Sequence, residues 1–129
     1  MTFDFDKNGI KAYIKCLEKR TVEANKRIVQ DLHHNLYELT PKRTGCLASN
    51  YNISVNGPNY SWSSEKTTPD FTIPTFGIKD QLYITNSVPY IMFVNIGTLK
   101  QIGQNFIERA EFKTQMNLPN ILKGIDKID

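Results

Sequence analysis

Apolar residues at Ile10, Ile14, Leu17, Ala24, Ile28, Leu32, Leu36 and Leu39 follow the i, i+3, i+4 spacing of a helix face, and the run stops at Thr40, just before Pro41. Residues three and four apart share one side of a helix with about 3.6 residues per turn, so the spacing predicts an amphipathic helix from about residue 8 to residue 39. Proline disfavours helical geometry in the residue before it, which makes Thr40 the natural stop. Asp4 and Asp6 stand near the positive end of the helix dipole. Such a helix spans about 45 Å. That is longer than the core of a 129-residue chain can cover, so part of the apolar face is expected to meet another subunit.

Charge is concentrated on the same segment. Residues 7–27 carry seven basic side chains (Lys7, Lys11, Lys15, Lys19, Arg20, Lys26, Arg27) against Glu18 and Glu23, a local balance of +5, while the whole chain is only +3. Lys7, Lys11, Lys15 and Lys19 recur every fourth residue and form one slowly drifting stripe on a helix. The stripe reads either as a solvated helix face or as an electrostatic contact with DNA or an acidic neighbour. Tyr13 is the one aromatic in the run. A single-strand binder would stack bases on interleaved aromatics, so reading of base sequence is not expected.

Beyond Pro41, "TPKRTGCLASNYNISVNGP" reads as a turn followed by an antiparallel strand. Leu47, Tyr51, Ile53 and Val55 fall on its inner side, and Ala48, Asn50, Asn52, Ser54 and Asn56 on the outer. Gly45 allows the chain to reverse, and Asn56-Gly57-Pro58 ends the strand. The Ser-, Thr- and Pro-rich insert from Tyr60 to Asp80 is a long loop or a protruding hairpin, with Phe71 and Ile73 as a weak strand before Pro74. It is expected to behave as an arm that orders on a neighbour, because Trp62 and Phe71 are too few to pack alone. "QLYITN" at residues 81–86 supplies a second strand.

In "PYIMFVNIGT" at residues 89–98, Ser87 would cap a short helix, Tyr90, Phe93 and Val94 would share its inward face, and Gly97 would end it. A further helix starts after Asn105 with Phe106, Ile107, Ala110 and Thr114 inward, and Leu122, Ile125 and Ile128 suggest a last short one. The expected class is α+β in one domain: the long helix over residues 1–39, a small antiparallel sheet over 44–86 with an arm at about 58–79, and two or three shorter helices over 87–129.

No residue pattern points to catalysis, a metal or a cofactor. His33 and His34 are helix neighbours aimed about 100 degrees apart and cannot share a metal. Cys16 and Cys46 fit no metal spacing and read as free thiols of a reducing compartment, with a disulfide between them as the alternative. Glu108 and Glu111 are the only neighbouring acids on one helix side, no glycine loop for phosphate appears, and no serine or cysteine has the context of a nucleophile. No apolar run reaches the roughly 20 residues of a membrane helix, and the acidic "MTFDFD" is unlike a secretion signal, so no membrane contact is expected.

The blocks "TPKRTGCL", "ITNSVPYIMFVNIGT" and "QNFIERA" resemble, in that order, the phage tail-component family of tail-completion and neck proteins. The resemblance rests on Thr40, Pro41, Thr44, Gly45, Leu47, Pro89, Tyr90, Gly97, Thr98, Phe106 and Ala110, within residues 40–57 and 84–111. It departs at Asn95, where the family commonly has an acidic residue, and in the long insert. What it implies is a virion protein, assembled in the host cytoplasm, that forms a six-fold or twelve-fold homo-oligomeric ring at the head–tail junction against connector and tail proteins. Tyr90, Gly97, Thr98, Trp62 and Phe71 are then candidates for the subunit interface. Lys7, Lys11, Lys15 and Lys19 would face packaged DNA through non-specific contacts, or an acidic neighbouring ring. A small nucleic-acid-binding protein and a minor enzyme, such as a nuclease, are the competing readings.

Overall fold

The expected long helix forms: in the computed structural model, which describes residues 7–98 and 102–128, α1 runs Lys7–Leu39. At 1.5 Å per residue its 33 residues span about 50 Å. Its end is held chemically as well as sterically. The Thr40 backbone N–H and hydroxyl both donate to the Leu36 carbonyl, and the same hydroxyl lies 2.8 Å from the Tyr51 hydroxyl. Asp4 and Asp6 lie outside the described residues.

After the turn come a one-turn helix α2 (Cys46–Ser49), strand β1 (Asn52–Val55), strand β2 (Leu82–Thr85) and helix α3 (Ile91–Ile96). Helices α4 (Phe106–Met116) and α5 (Leu118–Ile121) and a 3-10 turn (Ile125–Lys127) complete the chain, an α+β fold. The two strands pair antiparallel, with Asn52 opposite Thr85 and Val55 opposite Leu82. A two-stranded ribbon is marginal alone. Here it rests on the helices through Ile84, which packs on the central cluster of Leu36, Leu47, Tyr51, Val88, Ile91, Phe106 and Ala110. That cluster lies along the C-terminal half of α1, against which α4 makes the largest contact between elements. Burying Phe106 completely contributes roughly 2–3 kcal/mol.

Two expectations about local structure change. The segment from Cys46 to Asn50 is helical rather than a strand, so Cys46 starts a helix, and Ala48 and Asn50 are buried instead of facing outward. Leu47 and Tyr51 stand four residues apart, a spacing that fits one helix face as well as one strand face, and Gly45 with φ of 79° starts the helical turn. Phe71 and Ile73 form no strand. The C-terminal segment is one helical turn and a 3-10 turn, with Leu122, Ile125 and Ile128 half-buried.

The arm does not wait for a neighbour. Its base is closed by Asn56, which takes positive φ (63°), donates its backbone N–H to the Gln81 carbonyl at 2.7 Å, and accepts the Gln81 N–H on its side chain at 3.0 Å. Buried Asn50 donates to the Ser63 carbonyl and accepts the Ser63 N–H, each at 2.9 Å. Phe71 stacks on His34 at 4.3 Å between ring centroids and leans on His33 at 4.6 Å and Tyr37 at 5.6 Å. Few apolar residues suffice because the backbone of the arm is hydrogen-bonded to the body at several points.

Candidate functional site

Basic residues of α1 divide into two groups. Lys11, Lys15, Lys19 and Lys26 are exposed, whereas Arg20 and Arg27 turn onto the C-terminal segment. Arg20 donates to the Ile128 carbonyl at 2.9 Å, and Arg27 to the Ile121 and Lys123 carbonyls at 3.2 and 3.0 Å, besides its ion pair with Glu23 at 3.1 Å. Guanidinium groups satisfy carbonyls that the short α5 leaves open. Part of what reads in sequence as one basic segment is thus internal scaffolding. The side chain of Lys7 lies outside what the structure describes.

On the same half of α1 an apolar row is uncovered. Ile10, Tyr13, Ile14 and Leu17 are 44, 62, 48 and 40% exposed. Their spacing of i, i+3, i+4 and i+7 makes them one continuous face. The C-terminal continuation of that face packs on the core, with Leu36 buried and Leu32 half-buried.

A second apolar surface surrounds α3. Tyr90, Met92, Phe93 and Ile96 are exposed, as is Ile102 after it; Phe112 and Met116 are exposed separately on α4, Met116 beside His34 and Glu38 of α1. Here the expected packing is corrected: Tyr90 and Phe93 face outward, while Val88, Ile91 and Asn95 are buried and Val94 packs on the core. Nearly every residue from Ile91 to Ile96 is apolar, so periodicity could not choose the inward face, and the one polar residue, Asn95, is inside.

Asn95 shows why. Its side-chain carbonyl accepts the Ile107 backbone N–H at 3.0 Å, and its amide donates to both Glu108 carboxylate oxygens at 3.0 Å. It therefore caps α4 from a neighbouring helix. Asn105, the expected cap, takes a left-handed conformation and makes no side-chain cap bond. Gln104 and Asn105 donate to the carbonyls of Val94 and Asn95, binding the two helix ends together. At Gly103 a Cβ would stand 2.3 Å from the Ile96 carbonyl group, so only glycine fits this crossing. Gly97 ends α3 as expected, with φ of 98°. No sequence signal marked Gly103 or gave Asn95 its partner.

Most motif positions do structural work. Thr40, Leu47, Phe106 and Ala110 are buried, and Gly45 turns the chain. The Thr44 hydroxyl accepts the Cys46 N–H at 3.3 Å. Pro89 and Thr98 are exposed and Pro41 is half-buried. Trp62 is 43% exposed on the arm, and Phe71 is half-buried against its own α1 rather than presented to a partner.

His33 and His34 diverge as their spacing requires. His33 is 1% exposed with neither ring nitrogen hydrogen-bonded, and its pKa falls to about 4, chiefly through burial and then through the charge of His34. Burial pushes the Tyr51 hydroxyl up to about 12, against the opposing hydrogen bond from Thr40. Cys16 and Cys46 are free thiols. Among the described residues no cluster of three His, Cys, Asp or Glu could hold a metal, and no helix is long and apolar enough to cross a membrane. A scan of the chain against protein-family models found no match, and searches of curated proteins and of solved structures found none either.

Proposed function

We propose that this chain is a structural subunit of a tailed-phage virion, a tail-completion or neck protein that closes into a ring at the head–tail junction. The uncovered apolar row on the N-terminal half of α1 carries the reading. Four large side chains on one helix face stand in water while the same face packs on the core further along, an arrangement that suits a protein completed by a neighbour. The second apolar surface around α3 lies elsewhere on the molecule, and subunits that join through two different surfaces build a ring where the rotation between them closes. The ordered motif blocks that resemble tail-component proteins agree with this, and the exposed Lys11, Lys15 and Lys19 suit a lumen that DNA traverses or an acidic adjoining ring.

Native mass spectrometry and negative-stain imaging of the purified protein, with and without its virion neighbours, test the reading. The expected result is a closed ring, with the gene lying between those for the head connector and the major tail tube. Particles that join heads to tails and infect normally without the protein would overturn it. The lysine row favours one alternative, a small nucleic-acid-binding protein, whose mark would be tight and steeply salt-dependent binding by the monomer.

A further inference from the structure

The uncovered row on α1 and a groove that meets the α3 surface at Met92 differ in their charged surroundings. Lys11 and Lys15 run beside the Ile10, Tyr13, Ile14 and Leu17 row on the exposed half of α1. About 30 Å away along the helix, β2, α3 and α4 border α1 around a groove of about 210 Å³, lined by Leu32, Ile84, Met92 and Ile107 among others. Glu111 lines the same groove, and Glu108, whose carboxylate accepts from Asn95, is exposed one turn earlier on α4. One surface is thus a convex apolar ridge whose exposed charged neighbours, Lys11, Lys15 and Glu18, are net basic, and the other an apolar groove with an acidic border. Their separation keeps one chain from closing on itself.

We infer that the occupant of the groove is the N-terminal half of α1 from a second copy of this chain. Ile14 and Leu17 enter between Met92 and Ile107, and Lys11 and Lys15 stand against Glu108 and Glu111. Pairing of two ridges is disfavoured because it brings two lysine rows together, whereas ridge into groove brings opposite charges together and covers apolar surface on both sides. The contact is head-to-tail: each copy keeps one free ridge and one free groove until a ring closes. This deepens the ring reading and rests on it for that closure.

A complementation experiment tests the interface. Ile14→Asp spoils the ridge and Met92→Asp spoils the groove, and both residues are about half exposed (48 and 52%), so the fold should survive, as circular dichroism would verify. By size exclusion with light scattering, the natural chain is expected as a multiple of 14.8 kDa and each variant alone as a 14.8 kDa monomer. Mixed in equal amounts, the variants are expected to form a dimer and nothing larger, because the mixture holds one intact ridge and one intact groove per pair. A natural chain that stays monomeric at every concentration, or a mixture that yields no dimer, overturns the interface. So does a Met92→Asp chain that still associates with itself, which would mean ridge-to-ridge pairing. Virions that carry the protein at the junction while the mixture stays monomeric sink the interface alone. A heterodimer from a protein that virions lack sinks the ring reading and spares the interface.

Discussion

His33 sits under Phe71, beside Tyr51, with Asp70, Lys66 and His34 as its charged or titratable neighbours and with no hydrogen bond to either ring nitrogen. A buried imidazole in that state resists protonation. Its pKa is lowered from 6.5 to about 4, so between those values the unfolded chain binds a proton that the folded chain does not. Stability therefore falls as pH drops from about 6.5 to about 4, by up to about 3 kcal/mol from this group. Urea unfolding at about pH 7 and about pH 4.5 should show His33→Leu losing less stability across that interval than the natural chain, by most of this amount. Equal losses in the two proteins would contradict the account.

Asn95 offers a second test at the same scale. Asn95→Asp removes the donor to Glu108 and places two carboxylates about 3 Å apart, at an expected cost of roughly 2 kcal/mol at neutral pH. The pair would then hold a proton more tightly folded than unfolded, so the cost shrinks as pH falls through the carboxylate range. Adding Glu108→Gln restores a donor, and the double variant should recover most of the lost thermal midpoint. An acidic residue at position 95 thus needs a different partner at position 108, which gives the departure from the resembled pattern a physical reason.

Among the elements, the arm between β1 and β2 is held by the Asn56 closure, by Asn52 on the Asn59 and Ser61 carbonyls, by the Asn50–Ser63 pair, by the Ser49 hydroxyl on the Lys66 carbonyl and by the Phe71 stack on α1. Beyond Lys66 the Phe71 stack fastens it to α1. Phe71→Ala should cost about 1–2 kcal/mol, less than truncation of a fully buried phenylalanine because Phe71 is half-buried. Limited proteolysis is expected to cut first within residues 64–76 in the variant, at a rate several-fold above the natural chain, with β1 and β2 intact. Cleavage at unchanged rates would show that the polar anchors hold the arm without the aromatic stack. The α3–α4 crossing is stiffer, since Gly103 admits no side chain and Asn95 bonds both helices.

For the whole molecule, the question is how much of the positive charge is available to a polyanion. Arg20 and Arg27 are engaged with the C-terminal carbonyls, while Lys11, Lys15 and Lys19 form an exposed row and Lys26 is exposed two turns further on. Three phosphate contacts release counterions with a slope of about −3 in log K against log salt. Duplex DNA binding by the free subunit is therefore expected to be weak with about that slope, and to vanish when Lys11, Lys15 and Lys19 become Glu, while the thermal midpoint stays put. A slope several units steeper would instead favour nucleic-acid binding as the protein's main work.

Much of this was legible in sequence wherever a periodic signal ran long enough. The apolar spacing from Ile10 to Leu39, the Thr40-Pro41 stop, the antiparallel pairing of the two strands, Gly97 as a helix end and the inward row Phe106, Ala110 and Thr114 all depend on local rules of backbone and side-chain geometry. Shorter or uniformly apolar stretches carried too little information. Leu47 and Tyr51 fit a strand or a helix equally, and the residues from Ile91 to Ile96 offered no polar face to mark the outside. Tertiary structure alone decided that Asn95 turns inward to cap α4, that Arg20 and Arg27 serve the C-terminal segment, and that His33 is buried under Phe71. It also decided which half of α1 stays uncovered. Each of these depends on partners dozens of residues away or on the opposite side of a crossing, and a local pattern holds no record of such distances.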